Sequence, residues 1–143
     1  MNMEKTILGN DLEICRILNG MWQVAGGHGQ IDSELAIQDM EKYQELGFTT
    51  WDLADIYGPA ESLIGGFSKK TKQNFQAFTK FVPNPGPMSI SIVTYYIDES
   101  LKKMNTECID LLQFHWWDYQ DSSYLDALQH LSKLQNEGKI KNL

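Results

Sequence analysis

The chain has 143 residues, of which 42% are hydrophobic and 22% charged, and a formal net charge of −7. That length makes one domain with a real core, and the acidic balance excludes non-specific nucleic-acid binding, which needs a basic surface. No apolar run approaches the ~20 residues of a membrane span, and residues 1–20 lack the basic-then-apolar order of a secretory leader, so a soluble cytoplasmic domain is expected.

In chain order, residues 6–8 and 12–14 predict a β-hairpin turning at Gly9 and Asn10. Residues 17–25 read as a further strand, closed by the loop Gly26-Gly27-His28-Gly29. Asp32 or Ser33 then caps a helix whose apolar stripe is Ala36, Ile37, Met40 and Tyr43, and Gly47 ends it. Strand 48–54 follows, then a short helix over 60–69 with Leu63, Ile64 and Phe67 on one side and Lys69, Lys70 and Lys72 at a solvated end. Strand 76–82 runs into a proline-rich loop, 83–87.

Ile90, Val93, Ile97, Leu101 and Met104 recur at helical spacing ahead of strand 109–115. Ser122 or Ser123 caps a last helix carrying Leu125, Leu128, Leu131 and Leu134, ended by Gly138, and residues 140–143 begin another strand. Cys15 and Cys108 fall far apart within apolar patterns and read as small buried hydrophobes in a reducing compartment, not as a disulfide.

A hairpin followed by strand and helix four times, at about 30 residues per unit, is an α/β pattern. An open doubly wound sheet suits the length, but the Gly-rich phosphate loop after a first strand is missing, since residues 26–29 lack its spacing. A closed eight-stranded barrel takes ~250 residues. The expectation is therefore an incomplete (β/α)8 barrel: one domain over 1–143, its first four βα units behind a hairpin, reaching into a fifth strand. Opened out, its interior face would expose residues such as Phe48, Thr50, Leu111 and Gln113, or their alternates along the strands. Free edges and an apolar face favour self-association or pairing with a complementary half.

Asp52, Tyr57, Lys80 and His115 each sit at or just past the end of a predicted strand. Parallel strands converge at their C-termini, so polar groups there meet without being sequence neighbours. Phenols titrate near pH ~10, so Tyr57 needs a cation to stabilise its anion before it can serve as an acid. Lys80 can be that cation, Asp52 can hold Lys80 charged, and His115 can orient a carbonyl oxygen.

An unpaired buried lysine would cost several kcal/mol, so loop capping and packing alone do not explain the set. Asp55 with Asp52 and His115 invites a divalent metal, but Lys80 would occupy the carboxylates and no further histidine sits at a strand end, so no metal is expected. His28 and His130 read as surface or boundary residues, and Trp117 and Tyr119 as loop packing. Trp116 is open between pocket wall and packing.

These residues resemble the aldo-keto reductase family along essentially the whole chain. Gly20-Met21-Trp22 is similar to its first barrel strand, and Gly47-Phe48-Thr49-Thr50-Trp51-Asp52 through Tyr57-Gly58 and Glu61 to its most specific signature. Phe78-Thr79-Lys80 resembles the strand bearing the lysine, and Leu111-Leu112-Gln113-Phe114-His115-Trp116 the strand bearing the histidine. Glu137-Gly138-Lys139-Ile140 resembles the approach to strand five.

The resemblance implies NADPH-dependent reduction of an aldehyde or ketone, with Asp52, Tyr57, Lys80 and His115 catalytic. It further implies Gly20, Met21 and Asp52 at the cofactor, and Trp22 and Trp116 at the substrate pocket. The family's main grip on the cofactor comes from later strands, so the isolated chain is expected to be inactive. A non-catalytic binding or regulatory protein derived from the same fold is the alternative.

Overall fold

The computed structural model describes residues 3–9, 11–27 and 29–143; Asn10 of the expected hairpin turn and His28 lie outside them. Strands β1 (Lys5–Leu8) and β2 (Leu12–Cys15) pair antiparallel, from Lys5 opposite Cys15 to Leu8 opposite Leu12. The main sheet contains β3 (Asn19–Gly20), β4 (Thr50–Asp52), β5 (Gln76–Phe81) and β6 (Leu111–Phe114), parallel and in that spatial order. Helices α1 (Ser33–Glu45), α2 (Ala60–Lys70) and α3 (Ile90–Met104) connect successive strands, and α4 (Tyr124–Asn136) follows β6. A doubly wound sheet reverses its strand order at a switch point, whereas a barrel adds each strand beside the last. The consecutive order is that of an incomplete (β/α)8 barrel.

The predicted strand over 17–25 is much shorter than its apolar run. Only Asn19 and Gly20 register with β4, after which Trp22–Ala25 forms a 3-10 turn ended by Gly26 at φ 95°. The Asn19 amide donates to the carbonyls of Phe48 and Thr50, so a side chain replaces the pairing that a longer strand would give.

Helix α1 begins where Asp32 accepts the N–H groups of Glu34 and Leu35. It ends in a Schellman turn: Gly47 at φ 94° donates to Gln44 O, and Phe48 donates to Tyr43 O. On α4 the buried residues are Ala127, Leu131 and Leu134, while Leu125 and Leu128 face outward, correcting the expected all-leucine stripe. Ser123 stands at its N-cap position without a side-chain capping bond. Cys15 is buried, but Cys108 is exposed, contrary to expectation; both are free thiols.

One sheet face packs on the helices. Trp51, Leu53 and Ala77 meet Leu63, Ile64 and Phe67 of α2, while Phe81 and Leu112 meet Val93 and Ile97 of α3 and Leu131 of α4. The other face was expected to lie open, and its lower half does not. The hairpin folds beneath it, so that Leu12 and Ile14 bury Phe78 with Leu111 against them. Gln76 Nε2 donates to Glu13 O at 2.6 Å, and Cys15 N donates to Thr50 Oγ1 at 3.0 Å, leaving Thr50 fully buried. At the far edge, residues 139–142 lie beside β6, with Lys141 N donating to Ile109 O and Leu112 N to Asn142 O. No helix among the described residues is long and apolar enough to cross a membrane.

Candidate active site

Four residues singled out in the sequence emerge at the C-terminal end of the sheet. Residues alternate faces along a strand, so Asp52 on β4 and Lys80 on β5 both leave the helix side and point into the interior. Lys80 Nζ donates to both Asp52 oxygens, at 2.7 and 2.8 Å, and to Leu53 O at 2.7 Å. All three ammonium protons are thereby placed. The two side chains are 15% and 27% exposed, so this pair is shielded far more than a surface ion pair. Gln113, on β6, donates from Nε2 to Asp52 Oδ1 at 3.1 Å and adds a third strand to the same carboxylate.

Tyr57 rides on the loop after β4. Its ring lies beneath the ammonium, with Lys80 Nζ 5.2 Å from the ring centroid. With its three protons given to Asp52 and Leu53, the lysine meets the face of the Tyr57 ring. The loop is fixed at several points. Asp55 N donates to Lys80 O, and the Asp55 carboxylate accepts Val82 N at 3.1 and 3.3 Å. Burial, with Glu61 nearby, pushes the Asp55 carboxyl above its ordinary range. Those bonds give Asp55 a structural task.

Gly58, at φ 51°, is where the loop meets the 3-10 turn: a Cβ there would lie 3.2 Å from the carbonyl oxygen of Ala25. This close approach brings Trp22 against Tyr57 edge-to-face, with centroids 5.1 Å apart. Trp22 is 54% exposed and free to present its other face to a ligand.

His115 follows β6 and donates its backbone N–H to Phe81 O. Its ring stacks on Trp117, with centroids 4.1 Å apart and planes 30° from parallel. Trp116, expected at the pocket, belongs instead to the helix-side core with Phe81 and Leu131. Its Nε1 donates to Asp118 O and Asp121 O. The reason is phase: Gln113, His115 and Trp117 share one side of the extended chain, and Trp116 falls on the other. That alternation was available in the sequence.

Of the residues expected at a cofactor, Gly20 is exposed, and a Cβ on it would meet nothing within 4 Å, whereas the Met21 side chain is buried. Met21 N donates to Asp52 O, so at this position only backbone faces the site. Behind the site, Glu61 of α2 is 2% exposed and accepts Thr79 Oγ1 at 2.8 Å, with Lys103 Nζ 3.6 Å from its other oxygen. Its burial gave no sign in the sequence. A groove of about 690 Å3 runs from Gly20 between the β3 edge and α1, lined also by Met21, Leu35, Met40, Tyr43 and Trp51. It contains none of Asp52, Tyr57, Lys80 or His115 and is not the site of this chemistry.

Comparison with known proteins identifies the family and the fold. The model of the aldo/keto reductase family matches residues 16–143. A 6-dehydroglucose reductase of Agrobacterium fabrum is 31% identical, the match covering 97% of this chain and 52% of that protein. The solved aldo-keto reductase of Bacillus halodurans, in its holo form, superposes with a TM-score of 0.80 at 24% identity, covering 98% of this chain and 49% of the other. The Bombyx mori aldo-keto reductase in complex with NADP superposes with a TM-score of 0.76 at 19% identity, covering 99% and 49%. The chain thus spans about half the length of these proteins.

Proposed function

This chain belongs to the aldo/keto reductase family, and we propose that it carries the proton-delivery side of an NADPH-dependent reduction of an aldehyde or ketone to an alcohol. The observation that carries this reading is the Lys80 ammonium, clamped by Asp52 and seated over the Tyr57 ring. Bound NADPH would supply a hydride to the carbonyl carbon. Tyr57 gives its phenolic proton to the carbonyl oxygen, and Lys80 stabilises the phenolate left behind. Asp52 keeps that cation charged and aimed, while His115 donates a hydrogen bond that orients the oxygen. Trp22 supplies an apolar wall beside Tyr57.

Gly20 and Asp52 are the positions through which this chain would touch the nicotinamide: the first leaves open space, and the second stands beside it in the β3–β4 register. NADP as the cofactor is supported by the Bombyx mori neighbour, which is solved with it. We further propose that the chain self-associates or pairs with a complementary half. Among the described residues strand β3 has β4 as its single neighbour, and Leu35, Tyr43 and Leu46 of the adjoining helix region are exposed.

The test compares the chain alone with the chain co-expressed with the C-terminal half of a relative, following NADPH consumption with an aldehyde. Turnover is expected in the paired form. Tyr57→Phe should abolish it while NADPH binding persists, and Lys80→Met should be comparably damaging. Reductase activity surviving in Tyr57→Phe would sink the mechanism. Light scattering decides the association, and a monodisperse monomer binding NADPH at micromolar concentration would contradict it.

A further inference from the structure

A histidine that must aim one ring nitrogen at a substrate oxygen needs its ring plane fixed. Proteins usually do this by tying the other nitrogen to a carboxylate or carbonyl. Among the described residues, neither ring nitrogen of His115 makes a hydrogen bond; only its backbone is tied, to Phe81 O. The ring is instead stacked on Trp117, with centroids 4.1 Å apart and planes 30° from parallel.

Trp117 is 64% exposed, an unusual position for an indole with no packing task. Its surroundings are nonetheless built to hold it. Trp116 Nε1 donates to Asp118 O at 2.6 Å and to Asp121 O at 3.2 Å, anchoring the chain on one side. Asp118 accepts Gln120 N, and Asp121 accepts Ser123 N, which stiffens the turn on the other. Trp117 thus stands between a buried neighbour and a braced turn, on the same side of the chain as His115.

We propose that Trp117 is a positioning residue: its indole, held out by the Trp116-anchored turn, fixes the plane of the His115 imidazole, a task no ring hydrogen bond performs among the described residues. The proposal rests on the reductase reading for the purpose of that orientation, but the stack can be tested without turnover.

The experiment is NMR of the His115 ring protons in the 143-residue chain. In the unmodified chain the indole ring current displaces them, and Trp117→Leu should remove that displacement. Trp117→Phe, which keeps a flat ring, should retain part of it. Unchanged far-UV circular dichroism in both variants excludes unfolding, and the Phe variant serves if the Leu variant does not fold. Identical His115 ring shifts in the unmodified chain and Trp117→Leu would overturn the proposal. In a form that turns over, Trp117→Leu should lower kcat more than it raises KM, with Trp117→Phe restoring kcat. A displaced ring in a paired form without carbonyl reduction would count against the reductase reading and leave the positioning role standing.

Discussion

Phe78 and Lys80 lie two residues apart on the same side of β5, yet they belong to different regions of the interior face. Phe78 is sealed beneath Leu12 and Ile14 of the hairpin. Lys80, about 7 Å further along the strand, holds Asp52 and overlooks Tyr57. The lower region is apolar and closed, and its burial adds to the core. The upper region exchanges apolar burial for a charged pair from β4 and β5, with Gln113 of β6 donating to it. One face of one sheet therefore divides into an apolar, sealed part and a charged, partly open part, and the hairpin draws the line.

Substitution in the lower region should have the largest effect on folding. Phe78→Ala empties a fully enclosed site and should cost ~3–5 kcal/mol in urea unfolding. Asp52→Asn in the upper region leaves Lys80 with its carbonyl partner but without its counter-charge. Its shielding is partial, so ~2–3 kcal/mol is expected by the same measurement, together with loss of turnover in a paired form. Equal costs for the two would erase the division and make the charged pair part of the core.

Gly58→Ala tests how the upper region is assembled. Alanine at φ 51° and in close contact with Ala25 O should cost about 1–2 kcal/mol. It should also weaken the Trp22–Tyr57 contact, read in near-UV circular dichroism. An unchanged spectrum would mean the loop is held without that approach.

Asp110 gives the smallest effect and sharpens the lower boundary. Burial pushes its carboxyl above the ordinary range even though it accepts Ala77 N at 3.0 Å. A carboxyl whose folded pKa is raised contributes fully below its unfolded value of ~3.9, and that contribution is lost as pH rises through the folded pKa. The unmodified chain should lose stability relative to Asp110→Asn over that rise, and the two should converge in acid. Melting temperatures that track each other across pH would show that the carboxylate is solvated.

Much of the architecture was legible because it rests on periodicity. Val93, Ile97, Leu101 and Met104 mark α3 through a repeat that only a helix satisfies, and all four are buried. Strand lengths were overestimated because apolar character continues past the pairing, as from Met21 into the 3-10 turn. Lys80 and Asp52 could be anticipated as partners from their places at neighbouring strand ends, and they are bonded. The hairpin's place under Phe78 was not legible, since local patterning of residues 5–15 states that a hairpin forms and not where it docks. Cys108 misled for a related reason: an apolar neighbourhood in sequence did not bury a residue in the bend before Ile109.

The consecutive order of β3, β4, β5 and β6 has a consequence for how the chain is made. During synthesis each new strand finds its partner in the one just completed, so parallel pairing can advance with the emerging polypeptide. The hairpin precedes β5 and β6 in the chain, so it cannot be covered until Phe78 and then Leu111 have been made. For that interval Leu12 and Ile14 lack the cover that Phe78 later gives them.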